Sequence, residues 1–176
     1  MFKRIIVAFS LLWMFNVTFC QESKNKPIVS VNLDIVGKGA PSACVRADTS
    51  DLYFVTVNVL NTQDTTVTFF IMSCEWAMDG FVIQSDSIAF LFCFGGCDHN
   101  MPENISLSKG QSVQFYGTIK SWKKDSSVAK IKVGLRYFRT ADEVWKFNGH
   151  RIGKRDKIFW SNEVELKDNL YSYKVK

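Results

Sequence analysis

The sequence predicts an all-β protein, and three observations carry that expectation. Between Leu52 and Ile71 two alternating runs stand either side of a polar break at Asn61 to Asp64: Tyr53, Val55, Val57 and Val59 share one side of the first, and Val67, Phe69 and Ile71 share one side of the second. Period-two alternation rich in β-branched and aromatic residues marks strands with one buried face, and the break reads as the turn of a strand–turn–strand pair. Runs of the same kind recur along the rest of the chain, and no helical period persists beyond a turn or two.

The first residues have a different purpose. Lys3 and Arg4 precede an apolar stretch from Ile5 to Phe15, followed by a short exit at Asn16 to Cys20, which is the layout of an export signal over residues 1–20. Eleven residues from Ile5 to Phe15 are too few to span a bilayer, which takes about 20, and no other stretch approaches that length. Cleavage after Cys20 gives a soluble secreted or periplasmic product; cleavage before it gives a lipoprotein anchored at Cys20, a route that the bulky Phe19 disfavours. The full chain carries 22 basic and 17 acidic residues, and removal of Lys3 and Arg4 leaves 20 − 17, a net charge of +3. That is too mild for a nucleic-acid binder. A mature chain of about 150 residues is one domain able to bury roughly two thirds of its unfolded surface.

After a polar leader at 21–27, the elements follow in order across a domain spanning 28–168, with a tail at 169–176. Ile28 to Ile35 alternates as a first strand; Gly37 to Asp51 is loop; strands 52–60 and 66–73 come next. Asp79-Gly80 marks a turn before Phe81-Val82-Ile83. Ser87 to Phe94 is apolar on both sides, as a central strand is, and Gly95 to Asn104 is loop. Strands at Ser112 to Lys120, Val128 to Phe138 and Lys157 to Leu166 close the domain, and Trp122, Trp145 and Trp160 are expected in or beside the core. Seven or eight short antiparallel strands fit a single immunoglobulin-like or fibronectin type III-like β-sandwich.

Four cysteines remain after cleavage: Cys44, Cys74, Cys93 and Cys97. An even count in an exported chain reads as two disulfides, with three possible connectivities. Chain entropy favours larger rings: Cys74–Cys97 is worth about 3.4 kcal/mol, and the five-residue Cys93–Cys97 ring about 2 kcal/mol. On that ground Cys74–Cys97 with Cys44–Cys93 is preferred, while the other pairings stay open, since geometry also decides.

Four segments carry a resemblance: Ser73-Cys74-Glu75-Trp76; Cys97-Asp98-His99-Asn100-Met101-Pro102; Ile105 to Gly110; and Trp160-Ser161-Asn162 with Val164 and Leu166. Together they resemble small exported bacterial immunoglobulin/fibronectin-like sandwich proteins without an assigned activity, over roughly residues 52–168. The resemblance implies a sandwich and a Cys74–Cys97 bond, and no substrate.

Three clusters offer chemistry. Cys93, Cys97, His99 and Met101 supply two thiolates, an imidazole and a thioether, the soft set that copper prefers. Their order resembles the ligand loop of the binuclear copper domain of cytochrome oxidase, with shorter spacings and with His150 downstream as the only second histidine. Oxidised cysteines bind no copper, and a disulfide in a polar loop is the plainer reading, so no cofactor is expected. Asp79, Asp98, Asn100 and Glu103 lack a calcium-loop spacing and read as solvated turn residues. Lys146, Arg151, Lys154, Arg155 and Lys157 crowd twelve residues beside Trp145 and Phe147, a candidate patch for an anionic glycan or another cell-surface component, set in what reads as a hairpin loop between two strands. Two histidines and no Gly-x-Ser-x-Gly give hydrolase chemistry little to work with. The expectation is a non-catalytic, secreted binding or structural module with no nucleic-acid partner and no transmembrane segment.

Overall fold

A computed structural model describes residues 27–39, 52–85, 87–91, 100–122, 130–147 and 157–167. It is a mostly β chain with antiparallel pairings. The strands are β1 (Val29–Lys38), β2 (Leu52–Asn61), β3 (Val67–Met72), β4 (Phe81–Ile83), β5 (Ile88–Phe90), β6 (Pro102–Leu107), β7 (Ser112–Ser121), β8 (Lys130–Ile131), β9 (Val133–Arg136), β10 (Ile158–Trp160) and β11 (Val164–Glu165). A π-helical turn, Trp76–Gly80, separates β3 from β4, and a two-turn helix α1, Ala141–Phe147, precedes β10. The expected signal at 1–20 and the tail at 169–176 lie outside the described residues.

One sheet has the order β1-β2-β7-β5. The other strands pair as β10-β9-β4, β11-β8 and β3-β6, with a single antiparallel bridge joining Phe70 to Phe138. Both groups face a common core. Val29, Val31 and Leu33 of β1, Val55, Val57 and Val59 of β2, and Phe115 and Ile119 of β7 meet Phe69, Ile71, Phe81, Ile131, Val133 and Leu135 from the other strands. The alternating residues singled out in β2 and β3 are all buried, as their period requires.

Those two strands are not, however, a hairpin. β2 pairs with β1 and β7, while β3 pairs with β6, so the chain crosses from one group of strands to the other at the polar break. Asn61 is why. Its buried amide donates to the carbonyls of Thr65 (2.8 Å) and Leu107 (2.9 Å), and its Oδ1 accepts the Gln63 N–H (2.8 Å). An amide with three partners in the corner replaces the ladder bonds that a hairpin would have made.

Three other expectations change. Ile88–Phe90 is an edge strand rather than a central one, and its Phe90 ring reaches inward to the core. Residues 102–107, read as loop up to Asn104, form the strand β6; Pro102 opens it, a place where a missing N–H costs nothing. Trp122, Trp145 and Trp160 are exposed, and the core tryptophan is Trp76. Its ring lies 5.2 to 6.0 Å from those of Phe81, Phe90 and Phe115. It fits because Gly117 has no side chain: a Cβ there would stand 3.1 Å from the Trp76 ring and 3.2 Å from Phe90.

Because the Asn61 amide is buried with three partners, Asn61→Ala is expected to lower unfolding stability by about 2 kcal/mol, read by urea titration. A loss below about 0.5 kcal/mol, the range of ordinary surface changes, would show that the corner does not depend on it.

Candidate functional site

The strand ladder assembles an apolar platform on the outer surface of β4, β9 and β10. Val82, Gly134 and Trp160 stand in one cross-strand row, and Arg136 and Ile158 stand in the next. Residues opposed in an antiparallel ladder share a face, so these side chains lie on one side, with Leu135 and Phe159 on the core side. A Cβ on Gly134 would fall 2.4 Å from Ile158 Cγ2 and 3.0 Å from the Trp160 ring. The glycine therefore lets both side chains lie down over the backbone. Trp160 keeps 41% of its surface exposed, with its indole backed by β9.

Helix α1 closes one end of this face. The segment Thr140-Ala-Asp-Glu143 is a capping signal: Thr140 Oγ1 accepts the Glu143 N–H (3.2 Å) and the Glu143 carboxylate accepts the Arg139 N–H (2.5 Å). Val144 packs with Met72 and Phe138. The Phe147 ring then lies under the Arg136 guanidinium, 4.3 Å from its carbon, while Arg136 Nη1 donates to the carbonyls of Asp79 and Phe81 at 3.2 and 3.4 Å. Arg136 thus binds the π-turn to α1 with the charge kept on the platform side of the sheet.

The basic patch is divided by this arrangement. Lys146 is not in a hairpin loop: it sits exposed on α1, near Asp142 at 3.9 Å. Lys157 leads into β10, with Nζ 5.5 Å from the Tyr137 ring centroid and 5.1 Å from that of Phe159, on the core side of the strand. Arg151, Lys154 and Arg155 lie outside the described residues. Their segment lies in sequence between Phe147 of α1 and Lys157.

Of the copper set only Met101 is described, and it is exposed; Cys93, Cys97 and His99, like Cys44, lie outside the described residues. Cys74 is held in a disulfide. Its neighbourhood is strapped to the start of β6: Ser73 N–H donates to the Met101 carbonyl (2.9 Å), Met101 N–H to Ser73 Oγ (3.2 Å), and the Cys74 and Glu75 N–H groups to Asn100 Oδ1 (3.2 and 3.3 Å). Asn100 Nδ2 donates to Glu75 at 2.6 Å. Asn100 therefore spends its oxygen on backbone donors. Among the described residues no three His, Cys, Asp or Glu side chains gather as a metal site would need, and no helix is long and apolar enough to cross a membrane.

Among the described residues two groups titrate away from their ordinary values. Burial, and then the Glu75 charge, push the Asp79 carboxyl up, against a lowering pull from Arg136. Burial also raises the Tyr137 phenol, whose hydroxyl donates to the Thr68 carbonyl at 2.9 Å.

No family model and no curated protein matches the chain. Among solved structures it is similar to the FixG-related protein from Vibrio parahaemolyticus, with 9% identity over 82% of this chain and 99% of that chain and a TM-score of 0.39. A likeness at that level assigns nothing.

Trp160, Ile158, Val82 and Gly134 were missed in the sequence because Trp160 reads as a core ring. The available signal was parity: Phe159 shares its face with the core, so Ile158 and Trp160 must face away.

Gly134→Ala is expected to lift Trp160 and Ile158 off the sheet, costing about 1–3 kcal/mol and changing the tryptophan emission. An unchanged spectrum and stability would show that the platform is not seated on the glycine. A second outcome concerns pH. Asp79 has a folded pKa above the ordinary 3.8, so the native state holds that proton longer than the unfolded one. Its contribution to stability falls as pH rises from about 3.8 through the raised value. Asp79→Asn is expected to flatten that fall and to be the more stable form at neutral pH, which melting curves across pH would check.

Proposed function

We propose that the chain is an exported, non-catalytic β-sandwich module of immunoglobulin-like or fibronectin type III-like kind. In this reading it binds an anionic glycan or similar cell-surface polymer on the outer face of β4, β9 and β10. The sheet order β1-β2-β7-β5, with β9 flanked by β4 and β10 opposite it, supports the sandwich: it parallels the four-strand and three-strand sheets of an immunoglobulin constant-type domain. The pairs β3–β6 and β8–β11 are the departures, additional to those two sheets. The eleven-residue apolar segment behind Lys3 and Arg4 supports export to the periplasm or medium, with anchoring at Cys20 as the alternative form.

One observation carries the binding reading: a broad, exposed indole stands close over the Gly134 backbone, on the strand that the basic segment leads into. An indole face suits the C–H face of a sugar ring, and Lys146, Arg151, Lys154 and Arg155 supply charge for carboxylates or sulfates, Lys157 being turned to the other face of β10.

The disulfide reading follows the same chain. Cys97 lies three residues before Asn100, which grips the backbone of Cys74, and three residues reach about 11 Å at full extension. Pairing Cys74 with Cys97 is therefore our preferred bond, leaving Cys44 for Cys93; it also removes one thiolate from the copper set.

The mature protein titrated with heparin or polygalacturonate at low salt should bind, weaken as salt rises, and show little affinity for neutral dextran. Trp160→Ala should weaken binding about tenfold, and Arg151→Ala with Arg155→Ala should reduce both affinity and salt dependence. Equal binding by Trp160→Ala and the unaltered protein, or equal affinity for dextran, would overturn the reading.

A further inference from the structure

On the opposite face of the same strands the chain builds a second feature that the polymer reading does not use. The Tyr137 and Phe159 rings meet at 86°, with centroids 5.6 Å apart, so their faces form a right-angled corner. Phe69 backs the Tyr137 ring at 6.2 Å, and the Tyr137 hydroxyl is tied to the Thr68 carbonyl. Both walls are half-buried and anchored, Phe159 by its pairing with Leu135. An ammonium already occupies the corner: Lys157 Nζ stands over both ring faces, at 5.1 and 5.5 Å. Lys157 is exposed, among the described residues no carboxylate forms an ion pair with it, and its ammonium lies over both rings.

We propose that the corner between Tyr137 and Phe159 is a recognition site for an organic ammonium group, closed in this structure by the chain's own Lys157. Two perpendicular π faces directed at one cation are the essential part of an aromatic cage. The ligand class is a quaternary or primary ammonium, as carried by choline-type headgroups or amine-substituted polymers. Lys157 is the last residue before β10. A tethered lysine competes at high effective concentration, and the free site is therefore weak until it leaves.

Lys157→Ala and the unaltered protein would be titrated with tetramethylammonium chloride, against sodium chloride at equal ionic strength, following the aromatic NMR resonances of Tyr137 and Phe159. The open variant is expected to bind in the millimolar range, at least about tenfold tighter than the unaltered protein. Phe159→Leu in the Lys157→Ala background is expected to abolish the shifts while far-ultraviolet dichroism stays unchanged. Equal responses from the open variant and the unaltered protein, or no response from the open variant, would overturn the proposal. So would binding that survives loss of the Phe159 ring. If Phe159→Leu unfolds, Tyr137→Leu in the same background reads the second wall by the same criterion.

Discussion

A single side chain, Asn162, holds the edge strand β1 against the far side of the core. Its Oδ1 accepts the Leu33 N–H at 2.8 Å and its Nδ2 donates to the Leu33 carbonyl at 3.1 Å. The amide thus imitates a strand partner for one residue of β1, while β1 spends its other edge on β2 from Val29 to Lys38. A parallel bridge between Val31 and Ser161 adjoins this clasp. Without it, Leu33, Val31 and Val29 would close the core from one sheet only. The clasp also explains why the closing strand is broken: residues 161–163 leave the ladder between β10 and β11 to bring Asn162 to Leu33.

Much of this frame was legible as alternation, because inward positions of β1, β2, β3, β7 and β8–β9 repeat every second residue. What was not legible has physical causes. β6 reads Pro-Glu-Asn-Ile-Ser-Leu, in which Leu107 alone is fully buried, so an edge strand with a mostly solvated surface gives almost no hydrophobic signal. Ser87 to Phe94 is apolar enough for a central strand, yet β5 is at the edge; composition reports burial, and the burial here comes from Phe90 packing beside Trp76. The β2–β3 link has a hairpin's length but not its residues: its break holds Asn61 and Thr62 where a two-residue turn would want Asn-Gly. The candidate platform was hidden for a different reason. A tryptophan is assigned to the core by habit of burial, and only the register of β10 on β9 reveals which way it faces.

Two glycines show how ring size is accommodated on each side of the fold. Gly117 admits Trp76 to the interior, where the indole fills the space between Phe81, Phe90 and Phe115. Gly134 admits Trp160 and Ile158 on the exterior, close over its own backbone. The device is the same and the consequence opposite. Inside, the missing side chain raises packing density; outside, it lets a ring come close to the strand backbone.

Register ties the two faces of β10 into one choice. Lys157 and Phe159 face the core side and Ile158 and Trp160 face away, so a slip of one residue would bury Trp160 and expose Phe159 together. Slippage is opposed at Ser161, whose N–H donates to the Val133 carbonyl (2.8 Å) and whose Oγ accepts the Val133 N–H (3.0 Å) while donating to the Asn162 carbonyl (2.7 Å). These bonds lie immediately beside the Asn162 clasp on Leu33. The residue pair that seals β1 to the core therefore also decides which aromatic side chains of β10 meet solvent. Any ligand face on this strand is held in place by the same few hydrogen bonds that close the domain.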